Sequence, residues 1–169
     1  TLEVEVQTLD NRQGHIASTR DSELRAEQLL NAQGSIVSQG DLAVDARFLD
    51  NASGTLLAES TLALLAQDAS NGADGLMAAG ANAHLEIAGT LDNAGRLQAG
   101  QDLQIEAKKL ANSGSLGAGQ HVQIVADELH NDQGLLLSGG DMYLAGRDIV
   151  NRRGNVFSLG SLLISAEAQ

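Results

Sequence analysis

An asparagine returns along the chain at Asn11, Asn31, Asn51, Asn71, Asn93, Asn112, Asn131 and Asn151, at intervals of 20, 20, 20, 22, 19, 19 and 20 residues. A glycine follows each of them two to four positions later, at Gly14, Gly34, Gly54, Gly75, Gly95, Gly114, Gly134 and Gly154. A unit of this size cannot bury its own apolar side chains, so a fixed period near 20 residues implies copies of one small unit stacked on each other. The repeat therefore argues against a globule assembled from unlike elements.

Between the asparagines the apolar residues alternate, with the period of two that belongs to a strand and not the 3.6 of a helix. Nine, seven and five residues before the asparagine stand Leu42, Val44 and Ala46 in one unit, Leu62, Leu64 and Ala66 in the next, and Val122, Ile124 and Ala126 further on. A second apolar position precedes each asparagine by two residues, as at Leu29, Leu49 and Leu110, and a third follows each glycine by about two, as at Ile36, Leu56 and Leu116. Each unit thus offers three short extended stretches separated by corners. Helix formers crowd Ala58 to Ala69 and Leu103 to Ala111, but helix-pair repeats need roughly 33 residues or more, and leucine-rich repeats place their asparagine differently. The expectation is an all-β parallel β-helix solenoid of roughly eight coils, a single segment over residues 1–169. With strands about 4.8 Å apart, the steps from Asn11 to Asn151 span roughly 34 Å.

In such a coil the eight asparagines fall at one corner, where each amide can donate to the next and also bond backbone in its turn. Aspartate there would set like charges at strand spacing. The following glycine is expected to supply the positive φ of the corner. Proline is absent, as suits coils that use nearly every N–H in a ladder. The unit from Asn71 to Asn93 is 22 residues long, and its extra residues are expected to leave the coil as a surface bulge or loop.

Composition bounds the partners. Ten Lys and Arg against 22 Asp and Glu give a formal charge of −12, which disfavours nucleic acid and anionic lipid, both of which bind clustered cations. With 43% hydrophobic and 19% charged residues, the chain reads as one soluble folded unit with no membrane insertion. Cysteine is absent, which removes disulfides and thiolate metal sites. The start, Thr1-Leu2-Glu3-Val4-Glu5-Val6, has neither a basic flank nor an initiating Met, so an excised piece is expected. Both end rows, Leu2, Val4 and Val6 and then Leu162, Ile164 and Ala166, lack a polar cap, and further coils of the parent chain are expected beyond each.

No catalytic group is evident. The column six residues before the asparagine holds Glu5, Arg25, Asp45, Leu65, Glu106, Val125 and Ala145, an alternation of sign that fades and reads as a solvated face with pairing between coils. Asp21, Asp41, Asp102 and Asp141 share a position interrupted by Thr61 and His121 and read as turn caps. His15, His84, His121 and His130 form no i, i+4 pair, so no zinc site is expected. Nucleophile elbows, phosphate loops and dinucleotide fingerprints are missing. The expectation is a protein that is not an enzyme and needs no cofactor or metal.

Written out from Leu29, the unit reads Leu29-Leu30-Asn31-Ala32-Gln33-Gly34-Ser35-Ile36-Val37-Ser38-Gln39-Gly40-Asp41-Leu42-Ala43-Val44-Asp45-Ala46. This pattern resembles the haemagglutinin repeat of filamentous haemagglutinin-like exoproteins of bacterial two-partner secretion, a group that includes contact-dependent growth inhibition effectors. The resemblance implies a right-handed parallel β-helix in the shaft of a secreted virulence factor at the bacterial cell surface. It also implies an outer-membrane transporter as export partner, and a target-cell surface receptor or glycan as a possible contact. Alternatives from other classes are a carbohydrate- or receptor-binding β-helix module and, further off, a polysaccharide-active enzyme.

Overall fold

In the computed structural model, which describes residues 1–166, the chain winds into a solenoid of eight coils with no helix. Each coil contributes one long and one short strand. The long strands run at Leu2–Asp10, Ser22–Leu30, Leu42–Asp50, Leu62–Asn71, Ala83–Asn93, Leu103–Asn112 and Val122–Asp132; the eighth is split into Met142–Gly146 and Asp148–Arg152, and Leu162–Ala166 follows. The short strands are His15–Ser18, Ser35–Ser38, Thr55–Ala58, Leu76–Ala79, Arg96–Ala99, Ser115–Ala118, Leu135–Ser138 and Asn155–Ser158. They form a ten-stranded and an eight-stranded sheet in which every strand pairing is parallel and joins successive coils. The helix-prone stretches around Ala58–Ala69 and Leu103–Ala111 are strands, because the inward apolar row lines up only in an extended chain, and burial outweighs local propensity.

The long strand is bent. In Leu42–Asp50 the buried positions are Leu42, Val44 and Ala46, then two exposed residues, Arg47 and Phe48, then buried Leu49. The phase of the alternation changes at Arg47, and the pairing passes from Ala26–Ala46 to Gln28–Phe48 without a partner for Arg47. In the eighth coil this bend interrupts the strand outright at Arg147. Three extended faces per coil result, as the apolar pattern predicts.

The core is one continuous axial column. Leu24, Leu42, Leu62, Leu85 and Leu103 on the first face meet Ile36, Leu56, Met77, Leu97 and Leu116 on the third, all fully or almost fully buried. Small side chains at the bend, such as Ala46, Ala66 and Ala126, sit where two walls converge. Ser22 interrupts this column between its pairing partners Leu2 and Leu42, and its buried hydroxyl has no hydrogen-bond partner.

The 22-residue unit takes the bulge of the two forms expected for it. Its two extra residues form no loop. One lengthens the turn Asn71-Gly72-Ala73-Asp74-Gly75; the other enters the bend, where pairing passes from Ala66–Ile87 to Ala69–Leu91. Two separate one-residue bulges leave the inward rows in phase on either side, whereas a loop would expose unpaired backbone. Gly89 fits the second bulge because a Cβ there would lie 2.4 Å from Asp68 Oδ1.

Candidate functional site

The asparagine corner carries a side-chain ladder through all eight coils. Asn11, Asn31, Asn51, Asn71, Asn93, Asn112 and Asn131 each donate from Nδ2 to Oδ1 of the asparagine one coil on, over 2.7 to 2.9 Å. The same Nδ2 groups also reach a backbone carbonyl of the next coil, for example Thr55 from Asn31 at 3.0 Å and Arg96 from Asn71 at 3.1 Å. Asn31, Asn51, Asn71 and Asn93 are wholly buried. A carboxylate offers no hydrogens for these bonds and an aliphatic side chain leaves the carbonyls unpaired, so only the amide satisfies both sides of a buried corner.

The glycines work differently from the expectation. Among the described residues no glycine has positive φ; the left-handed residues are Gln13, Gln33, Ser53, Asp74, Gln133 and Arg153, each directly before its glycine. Glycine is required at the next position by lack of space. A Cβ on Gly34 would lie 2.0 Å from the Asn11 carbonyl oxygen and 2.6 Å from Asn31 Oδ1. The corner thus packs two coils too closely for any side chain, and the residue before it carries the backbone strain. The shorter turns Asn93-Ala94-Gly95 and Asn112-Ser113-Gly114 have no left-handed residue at all.

A second polar ladder runs along the corner that leads into the long strand. Asp21 Oδ1 accepts the backbone N–H of Asp41 at 3.0 Å, Asp41 that of Thr61 at 3.0 Å, Asp102 that of His121 at 3.1 Å, and Asp141 that of Ser161 at 2.7 Å. Each carboxylate caps the next coil and not its own turn. Asn82 Oδ1 and His121 Nδ1 occupy the same place and accept from Asp102 and Asp141, each at 3.3 Å. Hydrogen bonds from the Ser60 hydroxyl and the Thr61 N–H hold the Asp41 carboxyl below the usual carboxylate range. Beside this ladder Ser38 Oγ lies 2.7 Å from the Arg20 carbonyl and 2.8 Å from that of Asp41, and Ser138 repeats the arrangement.

The outward charges pair locally. In the column of Glu5, Arg25 and Asp45, Arg25 bonds Glu23 on its own strand and not a neighbouring coil, which corrects the expectation of pairing along that column. Ion pairs between coils occur elsewhere: Arg47 with Glu27 at 3.9 Å, Lys109 with Glu128 at 3.2 Å and Arg147 with Asp127 at 2.8 Å. Hydrogen bonds from Arg12 hold exposed Asp10 down at about 2. His84 bonds Glu86 at 2.8 Å and His130 approaches Asp148 at 3.5 Å. No group of three His, Asp or Glu side chains placed to hold a metal ion occurs among the described residues. A shallow depression of about 280 Å³ lies on the outer face around Ala43, Ala63 and Leu65, with Arg25, Asp45 and Glu86 beside it.

Sequence reasoning missed the left-handed position before six of the eight corner glycines and the reach of the aspartates into the next coil. The first has a weak signal, since Gln fills three of the six positions. The second has none in a single unit, because it exists only once coils are stacked.

The model of the haemagglutinin repeat matches the chain over residues 1–47, 31–95, 63–114 and 98–169. No curated protein and no solved structure matches it.

Proposed function

This chain belongs to the haemagglutinin repeat family, and from that membership we propose that it is a segment of the structural, adhesin-type shaft of a secreted exoprotein at the bacterial surface. The observation that carries the reading is the unbroken run of side-chain bonds from Asn11 to Asn151 over one axial core. A stack built from equivalent coils transmits load and sets distance, and none of its rows concentrates reactive groups. In this role the segment extends the parent protein and holds adhesive or toxic parts away from the cell. Export through an outer-membrane transporter of the two-partner pathway, a place among growth inhibition effectors and further coils on either side belong to the same proposal.

The test is modularity. Duplicating residues 31–50, one full period, should lengthen the rod by about 4.8 Å in small-angle scattering and preserve cooperative unfolding. A rod that loses its fold on receiving one more period would not be a modular shaft. A second reading, a carbohydrate- or receptor-binding module, draws on the depression around Ala63, whose apolar floor has a charged margin. Specific retention of the chain on a glycan array, lost in Ala63→Arg, would favour it over a passive spacer.

A further inference from the structure

The eight-stranded sheet has an outer face unlike the rest of the surface. In a chain of net charge −12, its strands contain no carboxylate, and Arg96 is their one Lys or Arg. Two outward columns alternate with the buried ones. The first is mostly polar, with Ser35, Thr55 and Ser115 among its members. The second is mostly apolar: Val37, Leu57, Ala78, Gly117, Leu137 and Phe157, with Gln98 its polar exception and Ala78, only 4% exposed, already covered. Leu137 and Phe157 are 40% and 52% exposed, and Val37 and Leu57 are half-buried.

We infer that this face pairs two copies of the chain side by side, with their axes antiparallel. Charge selects the face: elsewhere two copies of a strongly acidic rod present carboxylates to each other, whereas here they meet without like-charge repulsion. Shape selects the direction. A two-fold axis along the strands lays the apolar column on itself, and the register that overlaps all eight short strands of this segment sets its first coil against its eighth. Phe157 then faces Ala17, Leu57 faces Gly117, Leu137 faces Val37, and Arg96 in the other column faces Leu76. Large meets small, and no charge meets its like. A two-fold axis along the rod would instead lay the polar column on the apolar one, with Thr55 against Leu57 and Asn155 against Phe157. Eight strands of four residues cover roughly 500 Å² per copy, about 1,000 Å² in all, the lower limit for a specific interface. The pair is therefore weak and depends on concentration. This pairing goes beyond the shaft role, which holds for a single rod as well as for a double one.

The chain has no cysteine, so single thiols report without background. A Cβ on Gly117 meets its nearest neighbour, the Leu137 carbonyl, at 3.4 Å, an ordinary contact, so Gly117→Cys folds. Equal amounts of Leu57→Cys and Gly117→Cys chains, mixed at high micromolar concentration and treated with a short bismaleimide, should give mainly the mixed dimer. Two Leu57→Cys chains should link at least five-fold less, because their thiols lie about 14 Å apart along the axis. Leu137→Asp should abolish the dimer in sedimentation, and Gln104→Asp on the other sheet should leave it intact. Three results would overturn the pairing: a monomer at every concentration, a dimer that survives Leu137→Asp, or mixed cross-links no more abundant than like-with-like ones. Association through any other surface gives dimer mass without the preferred 57–117 link.

Discussion

Asn71 donates to Asn93 Oδ1 at 2.8 Å across 22 residues, within 0.1 Å of the bond from Asn31 to Asn51 at 2.7 Å across 20. The corner is thus fixed in space while the chain between corners varies in length. Each rung is held by its neighbours through groups that cannot reach water, and spare residues are pushed to the turn and the bend.

Asn71→Ala removes one rung from the buried middle of that ladder. It leaves Asn93 Oδ1 without its donor, while Asn51 Nδ2 loses one acceptor and keeps the Gly54 and Leu76 carbonyls. With about 1–3 kcal/mol for a buried group left unpaired, the loss should be about 1–3 kcal/mol in urea unfolding. Asn71→Asp should be worse at pH 7 than at pH 4, because burial raises the pKa of an introduced carboxyl and penalises its charged form. A cost below 1 kcal/mol for either variant would mean that the ladder decorates the corner without holding it.

Gln33 and Gly34 should exchange the effects that a sequence reader would assign them. Gln33 has φ of 58°, so Gln33→Gly relieves a left-handed side chain and should be neutral or stabilising by up to about 1 kcal/mol. Gly34→Ala drives a methyl into the Asn11 carbonyl and should cost about 3 kcal/mol. Midpoints of denaturant unfolding for the two variants decide this, and the reverse order would restore the φ explanation.

This reversal marks where the sequence is legible and where it is not. The period, the inward rows and the asparagine corner could be read because each is a relation along the chain, repeated in every unit, as Leu42, Val44 and Ala46 repeat in Leu62, Leu64 and Ala66. The reason for Gly34 could not, because its obstacle is the Asn11 carbonyl one coil away. The same holds for Asp41, which caps Thr61 in the next coil, and for the bend at Arg47, which interrupts pairing without a turn residue to announce it. The inserted residue at Gly89 is a bulge at the bend, whereas the sequence leaves bulge and loop both open. Contacts between coils were hidden, and periodicity within the chain was open.

Ser22 offers a stabilising change. Its hydroxyl is buried without a partner between Leu2 and Leu42, so Ser22→Ala removes a desolvated polar atom and should raise stability by about 1 kcal/mol. A fall in the thermal midpoint would mean that the hydroxyl has a partner, such as a bound water.

Asp41 ties stability to pH. Its carboxyl is held below the usual carboxylate range by bonds from Ser60 and Thr61. A depressed folded-state pKa contributes stability that is present above the unfolded value and is lost as pH falls through the folded one. Asp41→Asn keeps an oxygen acceptor for the Thr61 N–H, as Asn82 does for Asp102, but it does not titrate. Its thermal midpoint should therefore stay near that of the parent at pH 7 and decline less between pH 4 and pH 2. Asp41→Ala loses the acceptor and should lie below both at pH 7, with the gap to the parent narrowing in acid as the parent carboxyl protonates. If the Asn and Ala variants melt together at pH 7, the contribution of Asp41 is its charge, and the acceptor role that links one coil to the next has no energetic weight.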